Sequence, residues 1–69
     1  MNNIATFAIL IEINLSSMRL LQLNMNQIED KTSDEYLNLA AVMYSMKTQN
    51  EFFIEESLKV ADQMGLAAI

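Results

Sequence analysis

The sequence predicts an all-α fold, a helical hairpin with a long C-terminal helix, in one small domain over residues 1–69. The chain has no proline and one glycine, so the residues that most often end helices and make turns are nearly absent. Apolar residues recur at three- and four-residue spacing in both halves, on either side of a polar segment. The predicted elements are an apolar first element over 1–28, a polar turn over 29–34 and a long helix over 35–64.

The first element carries two competing patterns. As a helix it has one apolar stripe, formed by Ile4, Phe7, Ala8, Ile11, Leu15, Met18, Leu21, Met25 and Ile28. As strands, residues 11–16 and 21–26 alternate between apolar and polar, with a turn from Ser16 to Arg19. Helix is favoured, because the stripe keeps its phase through the turn and the turn lacks Gly, Asn and Asp. A β-hairpin over residues 9–26, followed by a long helix, stays open as the alternative.

The polar turn contains a start signal for the second helix. Thr32 and Glu35 match the capping box, in which the Thr hydroxyl accepts from the backbone N–H of Glu35. Asp34 adds negative charge to the first turn, where the helix dipole favours it. The helix is therefore expected to begin near Ser33.

The second helix is predicted from a long apolar stripe. Its members are Tyr36, Leu39, Ala40, Met43, Met46, Phe53, Ile54, Leu58, Ala61 and Met64. Gly65 stands where a left-handed residue commonly ends a helix. Low helix propensity from Thr48 to Asn50 leaves open whether the helix kinks or breaks there.

Composition limits the function classes. With no Cys and no His, the chain has neither disulfides, nor the usual zinc ligands, nor the base of a nucleophilic triad. Its four basic residues are scattered and the net charge is −5, so a phosphate-binding patch is not expected. We expect no enzymatic activity, no cofactor, no metal and no nucleic-acid partner. Because 69 residues make a marginal core, stability is expected to come from copies of the chain or from another protein.

A membrane anchor over residues 4–15 is a further alternative, which the sequence does not favour. The apolar run from Ile4 to Ile11 ends at Glu12, well short of the roughly 20 residues that span a bilayer. A secretory signal peptide has basic residues before its apolar run, and no Lys or Arg precedes this one.

Several side chains are candidates for contacts between subunits. Phe52 and Phe53 lie about 100° apart on a helix, so one is expected to face the first half of the chain and the other a partner or a second layer of core. Tyr44 lies off the main stripe and is a second outward candidate. Asn50 and Ser57 lie on the stripe, one heptad apart, and either set the register of packed helices or are simply hydrated.

The second half also carries residues in a familiar order. They are Lys31-Thr32-Ser33-Asp34, Leu39-Ala40-Ala41, Asn50, Phe52, Ser57 and Val60. With this spacing, residues 33–68 resemble the needle and inner-rod subunits of type III secretion systems, which are small helical hairpins. The resemblance implies an exported structural protein, without a cleaved signal peptide, that polymerises through its C-terminal helix in a secreted or cell-envelope assembly.

The sequence thus predicts a non-enzymatic structural subunit that assembles through helix packing. The expected interface residues are Tyr44, Asn50, Phe52, Phe53, Ser57, Val60 and Met64. The alternative is a small acidic adaptor, chaperone or inhibitor that binds another protein, since its charge would steer a basic partner. Without the resemblance, a cytoplasmic location is expected.

Overall fold

The computed structural model describes residues 4–65, which form two helices. Helix α1 is Ile4–Asn26 and helix α2 is Asp34–Gln63. They pack side by side and antiparallel, joined by a loop over residues 27–33. The predicted all-α helical hairpin is confirmed, and the β-hairpin alternative is not favoured, because α1 is continuous helix.

Helix α2 is also continuous. It runs through Thr48–Asn50 without a break, and the Thr48 hydroxyl donates to the carbonyl oxygen of Tyr44 at 3.0 Å. Gly65 follows the C-terminal end of the helix and has a φ of 78°, in the left-handed region that glycine adopts most easily. Residues 1–3 of the predicted first element lie outside the described residues.

The hairpin is elongated. It measures 49 × 22 × 15 Å, and its radius of gyration is 15.7 Å, against about 11 Å for a compact chain of this length. Its accessible surface is 5243 Å², whereas a compact monomer of the same mass exposes about 4400 Å². Two helices side by side therefore leave far more surface in water than a closed small domain does.

The loop holds the ends of both helices. The Lys31 ammonium donates to the carbonyl oxygen of Met25 at 2.9 Å, and it lies 5.1 Å from the ring centre of Tyr36. This places a positive charge at the carboxyl end of α1, whose last turn has no basic residue of its own. The loop thereby supplies the C-terminal charge that α1 lacks.

The capping residue of α2 is Ser33, so the prediction of Thr32 as the cap is corrected. The Ser33 hydroxyl accepts from the backbone N–H of Tyr36 at 3.2 Å. The Thr32 hydroxyl instead donates to the Asp30 carboxylate at 2.6 Å, so it bonds within the loop and does not cap α2. Asp34 and Glu35 lie in the first turn, where the helix dipole favours negative charge.

Candidate interaction surfaces

The inner faces of the two helices meet around a small polar cluster at the middle of the hairpin. Asn50 is buried, and its side-chain oxygen accepts from the Asn14 amide at 2.9 Å. The Asn14 amide also donates to the Gln49 side-chain oxygen at 2.8 Å, and the Asn50 amide donates to the Ile11 carbonyl at 3.4 Å. These bonds satisfy the buried amide and favour one alignment of the helices, since a shifted register would leave it unpaired.

Aromatic packing closes the end of the hairpin nearest the N-terminus. The rings of Phe7 and Phe53 have centroids 6.2 Å apart at an interplanar angle of 41°. Phe7 is buried and Phe53 is half-buried, whereas the adjacent Phe52 is 55% exposed. The 100° step between the two neighbouring phenylalanines therefore separates an inner ring from an outer one, as the sequence predicted.

Helix α1 has a second apolar face that points away from α2. We call it the α1 outer face, and its members are Ile9, Ile13, Ser16, Leu20 and Leu23. Its four large residues are between 56% and 64% exposed. The first helix is therefore apolar both where it packs on α2 and where it faces away, a pattern expected of a helix that is covered on all sides.

Helix α2 also has an outward apolar face, which is aromatic and has fewer large apolar residues. We call it the α2 outer face, and its members are Leu37, Ala41, Tyr44, Thr48 and Phe52. Tyr44 and Phe52 stand at the two ends of an open groove that Ser45, Thr48 and Gln49 complete. Tyr44 is 71% exposed, the highest value among the large apolar residues described. An aromatic groove of this kind offers area and a hydroxyl group to another protein.

The seven predicted interface residues divide into two groups in the structure. Tyr44, Phe52 and Met64 are exposed. Asn50, Phe53, Ser57 and Val60 are buried or half-buried within the hairpin. The Ser57 hydroxyl donates to the carbonyl oxygen of Ile54 at 2.8 Å, within its own helix. In a single hairpin, the first group is free to meet a partner, while the second has intramolecular neighbours.

Sequence reasoning overlooked the α1 outer face. The signal was present, because Ile9, Ile13, Leu20 and Leu23 recur at three- and four-residue steps when Ser16 is included. A helix with a single apolar stripe gives these residues no role. Two interleaved stripes on one helix explain why the first half is so apolar.

By length and composition, α1 is long and apolar enough to cross a membrane. The 23-residue helix would extend about 35 Å, and the hydrocarbon core of a bilayer is about 30 Å thick. Core helices of soluble proteins and signal sequences near the N-terminus pass the same test.

Within residues 4–65, no three His, Cys, Asp or Glu side chains come together as a metal site.

Comparison with protein-family models, with curated proteins and with solved structures finds no match for this chain.

Proposed function

We propose that this chain is a non-enzymatic structural subunit that assembles with copies of itself through helix packing. One observation carries the proposal, the imbalance between buried and exposed apolar side chains. Within residues 4–65 the buried apolar side chains are Phe7 and Met25, whereas thirteen large apolar side chains are exposed. Apolar burial is the main favourable term in folding, so a lone hairpin of this kind has little to hold it together. Further copies supply the missing contacts.

The arrangement of the exposed residues favours an extended assembly. The α1 outer face and the α2 outer face point away from each other, on opposite sides of the hairpin. A subunit with two separate contact surfaces can join a neighbour on each side, and such contacts continue into a filament unless symmetry closes them. A subunit with one such face would stop at a small closed oligomer.

The resemblance of residues 33–68 to type III secretion needle and inner-rod subunits supports the same proposal. Those subunits are hairpins with a polar loop, and this chain has the same order of elements. In that role it is a component of a secreted or cell-envelope assembly, and it needs no cofactor or metal. Tyr44 and Phe52, from the region of the resemblance, are the residues we expect at contacts between subunits.

A small membrane-anchored protein is a second candidate, favoured by the length and apolar character of α1. Glu12 and Arg19 weaken it, because both lie inside the segment that would span the bilayer. A charged residue at the centre of a membrane helix costs about 2.5–3.5 kcal/mol on insertion scales. Pairing between helices gives these residues a less costly environment.

Light scattering over a concentration series, with negative-stain imaging of the heaviest fraction, tests the proposal. We expect mass to rise with concentration and regular filaments to form. The double variant Tyr44→Ser/Phe52→Ser should abolish the long species, because it removes the aromatic groove. Leu58→Ser is the matched control, since Leu58 is 60% exposed but lies outside both outer faces.

Three other outcomes contradict the proposal. If the folded protein has the same mass at every concentration, it does not assemble further, and the alternative of a small adaptor that binds another protein remains. Assembly that the control abolishes as fully as the groove variant points to non-specific aggregation. Insolubility without detergent, together with insertion into phosphatidylcholine vesicles, favours the membrane-anchored candidate.

A further inference from the structure

We infer that two copies of this chain pair through their α1 outer faces in antiparallel orientation, with Glu12 of each copy opposite Arg19 of the other. The inference rests on the proposed function, because it names the partner and the orientation at one of its two surfaces. Three observations carry it, the symmetry of the α1 outer face, the placement of the charges along α1, and the distribution of charge between the helices.

The α1 outer face is nearly symmetric about its centre. Ile9 and Leu23 lie seven residues on either side of Ser16, while Ile13 lies three before it and Leu20 four after it. These alternating steps of three and four are the spacing of a coiled-coil seam, here about 21 Å long. When two copies run antiparallel with a two-fold axis near Ser16, each large residue meets a large residue and the small serine lies at the crossing.

Glu12 and Arg19 determine the orientation. They are the only charged residues of α1, and each directly precedes a member of the outer face, so both flank it on the same side. They lie two turns apart, about 10 Å along the axis. In the antiparallel pair, the symmetry that matches Ile9 with the partner's Leu23 brings each carboxylate near the opposite guanidinium. In a parallel pair in register, each charge stays about 10 Å from its opposite.

Of the two proposed contacts, the one through α1 brings the least like charge together. Helix α1 has one acidic and one basic residue, whereas α2 has six acidic and two basic residues. Two chains that each carry a net charge of −5 repel most where their second helices approach. Antiparallel pairing through α1 joins two neutral surfaces and keeps the acidic helices on the outside of the pair.

The same residues make a bilayer the less suitable occupant of this face. Glu12 and Arg19 lie in the interior of the apolar segment, and Asn14 lies between them. Ionised groups inside a membrane are costly unless they find partners. The face of a second copy offers each of them an opposite charge.

Charge reversal in the full chain tests the pairing. Glu12→Arg alone and Arg19→Glu alone should each weaken dimer formation about tenfold or more, which corresponds to about 1.4 kcal/mol, because each places like charges opposite one another. These variants are compared in the Tyr44→Ser/Phe52→Ser background, which stops growth through the α2 outer face, and there the double variant E12R/R19E should restore the dissociation constant in sedimentation equilibrium, since the pairs form again with their signs exchanged. Glu29→Arg, in the loop, controls for the change in net charge and should leave dimerisation unchanged.

Cysteine cross-linking tests the orientation independently. The chain has no Cys, so an introduced thiol is the only one present. Under mild oxidation, Ser16→Cys should form a disulfide-linked dimer. Ile9→Cys alone should not, whereas a mixture of Ile9→Cys and Leu23→Cys should cross-link between the two variants. Circular dichroism of each variant establishes that it retains its helices.

The results that overturn the antiparallel pairing differ from those that overturn self-assembly as a whole. Cross-linking of Ile9→Cys with itself, or failure of the double charge reversal to restore affinity, overturns the antiparallel pairing while self-assembly stands. Assembly that is unaffected by every α1 variant also overturns it and assigns self-assembly to the α2 outer face. A folded monomer at all concentrations, or insertion of α1 into phosphatidylcholine vesicles in place of dimer formation, overturns both the inference and the proposed function.

Discussion

The two helices share one interface but differ in what they present to their surroundings. Helix α1 has two charged residues among 23 and is apolar on both its inner and its outer face. Helix α2 has eight charged residues among 30, and its outer face has fewer large apolar residues and includes an aromatic groove. The two helices of the hairpin are therefore not equivalent. Helix α2 is polar over most of its surface, whereas α1 exposes a long apolar face.

The largest expected effect separates the inner face of α1 from its outer face. Phe7→Ala should lower the free energy of unfolding by about 3 kcal/mol or more, because it empties a buried position beside Phe53. In the dissociated chain, Leu20→Ala should change stability by less than about 1 kcal/mol, because Leu20 is 64% exposed. Urea unfolding monitored by circular dichroism at low concentration measures both.

At high concentration, where chains associate, Leu20→Ala should have a larger effect than it has in the dissociated chain. Leu20→Ala then weakens self-association, since Leu20 lies on the proposed contact, whereas it barely affects the isolated hairpin. Equal losses from Phe7→Ala and Leu20→Ala in the dissociated chain would mean that both faces of α1 are buried within one molecule, contrary to the difference between them.

A second, smaller effect concerns the polar cluster that aligns the helices. Asn50→Ala should destabilise the hairpin by about 1–3 kcal/mol, because it removes a buried group bonded to both Asn14 and Ile11. Asn50→Leu should cost less, since the Asn14 amide keeps its bond to Gln49 and apolar area is buried instead. If Asn50→Leu lowers the stability of the hairpin as much as Asn50→Ala does, the Asn50 amide stabilises the fold itself as well as aligning the helices.

The fold was predictable because the sequence lacks residues that would interrupt two helices. The absence of proline, the polar turn and the continuous stripes were enough to predict the hairpin and the position of Gly65. The cap was missed by one residue, because Thr32 and Ser33 are both capping types. Only the competing bond from Thr32 to Asp30 in the folded loop decides between them. The sequence left open whether Asn50 faced the first helix or solvent, since that depends on where α1 places Asn14.

The neighbouring hydroxyls Thr32 and Ser33 give the next prediction, which tests the loop between the two helices. Ser33→Ala should cost about 1 kcal/mol, because it removes the bond that caps α2. Thr32→Ala should cost less, because its exposed side chain bonds only to the exposed Asp30 carboxylate. Thermal unfolding of the two variants compares them, and a larger loss from Thr32→Ala would assign the cap to Thr32 after all.

The smallest expected effect depends on pH. Hydrogen bonds from the hydroxyl and backbone N–H of Thr32 hold the pKa of Asp30 below its ordinary value. The carboxylate is therefore favoured in the folded loop, and its contribution is present above the unfolded pKa and lost as the pH falls through the folded pKa. An NMR titration should show the Thr32 amide signal shifting with the Asp30 carboxyl at acidic pH. Titration of Asp30 above its ordinary value would contradict the loop geometry.

The central claim is that the exposed apolar faces are covered by further copies of the chain. Its most direct test measures urea unfolding of the helices by circular dichroism and mass by sedimentation velocity on the same samples, through a dilution series from high to low micromolar concentration. We predict that mass falls on dilution and that the urea concentration needed to melt the helices falls with it, because the lone hairpin buries little apolar surface and further copies stabilise it. A monomer whose helices melt at the same urea concentration in every sample would contradict the account.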